Sequence, residues 1–253
     1  MQPLSQKQKI WVLIVLAAAG CAAMAFAKPI AQDVCYHGFA DARRYFGIPN
    51  FWNVISNLPY MLFGGAGMVF LIKQRNNPLY KNSLLSSFVF FAGVFLITFG
   101  SAWYHAWPNN QTLVWDRLPM TLAFMGFFSA MISDFIHVRW GKIMLLPLIA
   151  CGAFSVYYWW CTEQQCCGDL RPYALVQFLP MLLIPLIVLL FKQKNTNAKC
   201  LWLMMLAYAS AKIFEACDLC IYTQTWFLSG HTLKHFAASA APLFYLLYLR
   251  KRI

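Results

Sequence analysis
Residues 99–120 read FGSAWYHAWPNNQTLVWDRLPM, closing one apolar run and opening the next. The break falls at Pro108, Asn109 and Asn110, residues that end one helix and start another. Two helices therefore meet here, with Ser101, His105 and Asp116 close to their shared turn. A second piece, His231-Thr-Leu-Lys-His235, opens the last apolar run and adds two more imidazoles at a helix start. So much chemistry at helix ends is unexpected in so apolar a chain.

Of the 253 residues, 61% are hydrophobic and 11% charged, and the mean hydropathy is +0.56. A soluble domain carries roughly a quarter charged residues, so the composition is that of an integral membrane protein. A bilayer core needs about 20 apolar residues per helix. Eight runs qualify, at 10–27, 51–72, 84–106, 113–133, 143–161, 173–191, 200–222 and 230–249. The expected fold is all-α, a polytopic helical bundle, and no polar stretch is long enough to form a soluble domain.

The first run follows Lys7 and Lys9 and ends in Ala25-Phe26-Ala27, which is also the pattern of a cleaved signal peptide. Its uncharged core is long for a signal, and a retained transmembrane helix over 1–27 is expected. Residues 28–50 form the longest polar connection, a non-cytoplasmic loop or cap. The core then runs over 51–250, followed by the basic tail 251–253.

The net charge of +12 comes from 20 Lys plus Arg against 8 Asp plus Glu. With eight spans and a cytoplasmic N-terminus, Lys28, Arg43, Arg44 and Arg171 fall outside, and Arg117, Lys212 and Lys234 fall within spans. The other thirteen, including Lys192 and Lys194, fall inside. This asymmetry obeys the positive-inside rule with both termini cytoplasmic. It accounts for the basicity through anionic lipid head groups, without nucleic acid. In this orientation His105, Asp116, His231 and His235 all lie towards the non-cytoplasmic face. The nine cysteines lack metal-type spacing. Cys161, Cys166 and Cys167 share one loop, where a disulfide is allowed if the loop is extracytoplasmic.

His231 and His235 are four apart and share a helix face. That spacing offers a metal two ligands from one rigid element, and His105 supplies a third. Three imidazoles leave one tetrahedral position open, as in catalytic rather than structural zinc sites. The competing reading is interfacial histidines that only hydrogen-bond. Ser101, one turn before His105, presents a hydroxyl suited to an oxyanion, or else is a small packing residue. Asp116 is placed to act as general base and acid, or else pairs with Arg117 or the helix dipole.

Several pieces together resemble the alkaline ceramidases, seven-helix membrane amidases of a superfamily that also includes adiponectin receptors and other lipid-remodelling proteins. They are Phe51-Trp52-Asn53 with Ser56-Asn57-Leu58, Gly100-Ser101 with His105, Asp116 with Leu118-Pro119-Met120, and His231 with His235. The resemblance covers about residues 33–250, in order and with matching spacings. It implies zinc on His105, His231 and His235, an oxyanion or water-orienting role for Ser101, and acid-base work by Asp116. The first helix is then an addition to the seven-helix core.

Two departures stand out. Animal members hold calcium with a glutamate before Phe-Trp-Asn and acidic residues after an early aspartate. Here Asn50 precedes Phe51, and Val34, Cys35 and Tyr36 follow Asp33. Asp33, Asp41, Asn50 and Asn53 remain as oxygen donors, fewer than the six to eight that calcium prefers, and the sequence argues against that ion. The family's Asp-Glu before Leu-Pro-Met is Asp116-Arg117 here, which puts a cation beside the site and favours an anionic group on the substrate.

Lys212, Glu215 and Asp218 recur every three residues in the seventh run, as a mutually neutralising structural network or as substrate contacts. Cys217 and Cys220 lack the context of a redox pair. His37 and His137 match no motif, and Tyr157-Tyr158-Trp159-Trp160 reads as an interfacial belt.

The sequence thus predicts a zinc-dependent membrane hydrolase cleaving the amide of ceramide or a related N-acyl lipid. Its partners are that lipid and the bilayer, and the oligomeric state is left open. The rivals are the same fold acting on another lipid amide or ester, a non-enzymatic seven-helix receptor with structural zinc, and a haem protein with histidine axial ligands.

Overall fold
The computed structural model describes residues 4–191 and 197–252; Lys192 and Lys194, counted above, lie outside the described residues. The protein is an all-α polytopic bundle. Its helices are α1 (Gln6–Phe26), α2 (Phe51–Ile55), α3 (Leu58–Lys73), α4 (Leu84–Ala106), α5 (Asn110–Met131), α6 (Val138–Gln164), α7 (Arg171–Leu190), α8 (Ala198–Ala216), α9 (Asp218–Thr225) and α10 (Gly230–Arg250).

Their ends follow local chemistry. Ser5 forms a reciprocal capping box with Gln8, Asn109 accepts from Thr112 N, and Ser229 accepts from Thr232 N. Three of the expected spans are interrupted. Ser56 and Asn57 separate α2 from α3, α5 runs into a wide turn at Ile132–Ile136, and α8 and α9 meet at 76° across Cys217.

Among the described residues six helical stretches are long and apolar enough to cross a membrane, α2 and α3 counting as one, and the bent pair α8–α9 makes seven. The eighth expected span, α10, has 21 residues but is not apolar enough to count with them. The reason lies in its first turns, where His231, Lys234 and His235 replace apolar residues. Such a set of long apolar helices fits a multi-pass membrane protein. Helix α1 lies at the margin against α7, with Trp11 and Val15 facing outward.

The centre of the bundle is α4, packed most extensively on α5 and also on α3; α10 packs on α8 and α3. Small residues let the backbones approach. A Cβ on Gly93 would stand 2.6 Å from Ala123 N, and one on Gly126 would stand 2.7 Å from Phe90 N. At the same seam Ser86 and Ser129 hydrogen-bond at 2.8 Å, and Ser129 also donates to Gly141 O at 2.9 Å in α6. Higher in the seam, Gly100 lies directly against the backbone of Trp115 and Asp116. The missing side chain there brings the end of α4 onto the start of α5.

The two ends of the bundle are closed differently. At one end the Arg252–Asp134 ion pair and the Tyr80 hydroxyl, donating to Leu249 O at 3.2 Å, tie α10 to the α3–α4 loop and the turn after α5. At the other end residues 28–50 fold across the helix ends. Leu170 N donates to Ile30 O at 2.8 Å, and Arg171 pairs with Asp169 while donating to Ala27 O at 2.6 Å. His37 joins Tyr104 and Asn110 at 3.0 and 2.9 Å. His37, which matches no motif, therefore helps pin this loop to the helix ends.

Trp159 is fully buried, whereas Tyr157 is exposed and Trp160 partly so. The belt reading fails for Trp159 because consecutive helical residues are spread around the axis, turning one of the four inward. All nine cysteines are free, so Cys161, Cys166 and Cys167 form no disulfide.

Gly93→Ala is expected to cost about 1–3 kcal/mol through overpacking, seen as a lower Tm in detergent. Leu62→Ala, on an exposed position of α3, is expected to stay within about 0.5 kcal/mol.

Candidate active site
Beneath the folded loop the last turn of α4 delivers His105, and the first two turns of α10 deliver His231 and His235, all three buried. His105 Nε2 lies 3.2 Å from His235 Nε2 and 3.4 Å from His231 Nε2. Tetrahedral ligation at about 2.0–2.1 Å places nitrogen ligands about 3.3 Å apart, so the three atoms stand where ligands to one ion would stand. Two neighbours set their lone pairs. The single hydroxyl proton of Ser56 goes to Asn53 O at 3.2 Å, so its oxygen accepts from His235 Nδ1 at 2.7 Å and leaves Nε2 a free base. The Lys234 ammonium can only donate, so His231 Nε2, 3.2 Å away, is an acceptor too. His231 and His235 thus turn lone pairs towards His105 Nε2, and the three-histidine cluster is able to hold a metal ion. Their closeness leaves no room for a porphyrin between any two, which removes the haem reading.

Phe39 of the loop covers the cluster, its ring 4.7 Å from those of both His105 and His231. Ser101 lies one turn below His105 and faces the buried Asp116 carboxylate across the seam that Gly100 opens. Ser101, Asp116 and His235 line one wall of a cavity of about 410 Å³ that continues between α5, α7, α8 and α10. Its deep part is apolar, with Phe127, Ile184, Met204 and Pro242 among its walls.

The sequence model of the ceramidase family matches residues 44–249. The chain belongs to the ceramidase family. No curated protein matches it. Within this ceramidase-family protein α1 and most of the 28–50 loop precede the matched region.

Beside the histidines lies the charged group of α8 and α10. Glu215 accepts from Lys212 at 2.6 Å and from Lys234 at 2.8 Å, so one carboxylate serves two ammonium groups. Asp218 does not join them, although its spacing had grouped it with Lys212 and Glu215. The bend at Cys217 turns it away, and its two oxygens accept from His231 N at 2.7 Å and Ala40 N at 3.1 Å. It therefore holds the start of α10 and the loop together. Arg117 does not pair with Asp116 either; its Nη2 donates to Gln32 Oε1 at 2.6 Å.

Each of the four oxygen-bearing residues weighed for calcium has a hydrogen-bond partner within the chain. The Asp41 carboxylate is held by the Arg43 guanidinium at 2.8 and 2.7 Å. Exposed Asp33 accepts from Cys35 N in its own turn. Asn50 donates to His105 O at 2.8 Å, and Asn53 accepts from Thr232 at 2.9 Å. Arg43 also donates to Phe227 O at 2.6 Å, so an internal cation joins the loop to the α9–α10 connection.

Lys234, Ser56 and Phe39 carried no assigned role in the sequence. Lys234 had one usable signal, a cation inside an apolar helix three residues after a histidine. Ser56 and His235 are 179 residues apart, and no spacing links them.

Ser56→Ala is expected to weaken affinity for a divalent transition metal about 10–100-fold, measured by competition with a chromophoric chelator, while the fold is kept. EGTA is expected to leave the Tm unchanged, whereas Arg43→Ala lowers it.

Proposed function
We propose that this ceramidase-family protein is a zinc-dependent hydrolase acting within the membrane on the amide bond of ceramide or a related N-acyl lipid. The products are a fatty acid and a long-chain amine. The observation that carries the reading is the three-nitrogen cluster beside Ser101 and Asp116, opening onto a cavity with apolar depths. Zinc held by His105, His231 and His235 would supply Lewis acidity, polarising the carbonyl and lowering the pKa of water.

The chain's own groups handle the protons. Asp116 takes one from the attacking water and returns it to the leaving nitrogen, so water adds across the C–N bond and both atoms end neutral. The Ser101 hydroxyl lines the same wall as the Asp116 carboxylate. It donates its hydrogen bond to the carbonyl oxygen as negative charge gathers there. The apolar cavity holds the acyl chain, and Phe39 above the histidines limits water to the reacting molecule. Glu215 balances the charge of Lys234, whose ammonium also lies 3.2 Å from His231 Nε2.

The asymmetry of basic residues supports an orientation with both termini cytoplasmic and the site towards the other face. The same apolar cavity and polar mouth would admit another lipid amide or an ester, so the substrate panel below includes both.

The test is zinc content together with fatty-acid release from ceramides, other N-acyl lipids and lipid esters, for detergent-purified wild type and Asp116→Asn. Wild type is expected to hold one zinc per chain and release fatty acid. The variant should keep its zinc and lose turnover by about 10²–10⁴-fold. Wild type that binds zinc but cleaves nothing on the panel would overturn the enzyme reading.

A further inference from the structure
Arg117 is buried, at 5% exposure, yet no carboxylate among the described residues lies within the 4.0 Å of an ion pair. Its guanidinium faces aromatic rings, with the central carbon 4.2 Å from the Trp159 centroid, 4.7 Å from Tyr173 and 5.9 Å from Tyr36. The rings cover the faces of the planar group and leave its edges for hydrogen bonds. One edge nitrogen, Nη2, donates to Gln32 Oε1 at 2.6 Å; the other, Nη1, is buried without a partner. A buried charge without a counter-ion is costly, and a donor without an acceptor adds to that cost. Such a group is kept where something else completes it.

The cavity indicates what that is. Arg117 lines the same space as Asp116, at the mouth formed by the loop residues Ile30 and Tyr36, away from the apolar depth at Met204 and Pro242. Three cations, Arg117, Lys212 and Lys234, line this space with two carboxylates, Asp116 and Glu215. Glu215 is already shared by both lysines. The surplus is one positive charge, carried at the end where a head group would lie.

We propose that Arg117 recognises an anionic oxygen on the head group of the lipid substrate, in a carboxylate, phosphate or sulfonate, through its unpartnered edge. This rests on the hydrolase reading for what the cavity holds, and it names the class of substrate that cavity selects. Guanidinium is suited to the task because its fork meets two oxygens of one anion.

The test compares two N-acyl lipids with identical chains, one ending in a free hydroxyl and one carrying a phosphate monoester there, with wild type, Arg117→Gln and Arg117→Lys. Wild type should favour the phosphate in kcat/KM by at least about tenfold, as a charge-assisted hydrogen bond allows. Arg117→Gln should bring the ratio near one, with Arg117→Lys between. A wild-type ratio of one or below, or a ratio unchanged in folded Arg117→Gln, overturns the proposal while leaving the hydrolase reading standing. Thermal shift with hexadecyl phosphate against hexadecanol reads the site without turnover. Stabilisation by the phosphate alone, lost in Arg117→Gln or weakened in Arg117→Lys, supports the anion site even if neither lipid is cleaved, in which case the hydrolase reading fails. If only inhibition by palmitate depends on Arg117, the guanidinium belongs to the released fatty acid and the head-group assignment is overturned.

Discussion
Three ring nitrogens held 3.2 and 3.4 Å apart inside an apolar bundle demand that two helices from opposite halves of the chain end at the same height. Bringing α4 and α10 into that register is what the rest of the protein serves. The glycine seam sets α4 against α5, which brings Asp116 to Ser101. The break between α2 and α3 frees Ser56 to orient His235, and the bend before α9 frees Asp218 to hold the start of α10. Two of the three interruptions of expected spans thus sit where a polar group has to reach the site, because an unbroken helix keeps its backbone groups to itself.

The bundle is polarised along its length. The far end is closed by contacts among Arg252, Asp134, Tyr80 and the end of α10. The near end carries the imidazoles, two carboxylates and three cations, lidded by a loop that is fixed at several points to the helices beneath it. Between them lies apolar space. A molecule with a polar end and a long hydrocarbon tail matches that gradient, and a soluble amide does not. The Arg43–Asp41 pair adds to this fastening: a guanidinium of the chain holds the carboxylate and spans to Phe227, tying the loop over the site.

Much of this was legible beforehand, for reasons that can be named. Helical periodicity makes residues four apart neighbours, so His231 with His235 and Ser101 with His105 needed only the assumption of a helix. Hydropathy located the runs because a bilayer tolerates no unsatisfied backbone, although the polar first turns of α10 weaken the signal in the helix that carries two of the imidazoles. The same periodicity misled at Asp218, where a spacing of three means adjacency only while the helix is straight, and at Trp159, where a run of aromatic residues hid the one that faces inward.

The amino-acid sequence by itself determined the class of fold, the family, and which residues carry chemistry, since these depend on composition and on contacts within one turn of helix. Only the tertiary structure decided which distant groups act on one another: Ser56 on His235, Lys234 on Glu215, Arg43 on Asp41 and Phe227, and Arg117 on an aromatic cage and on no carboxylate at all. Those pairings depend on how helices are stacked, bent and capped, and helix packing is a property of whole surfaces that no local spacing encodes.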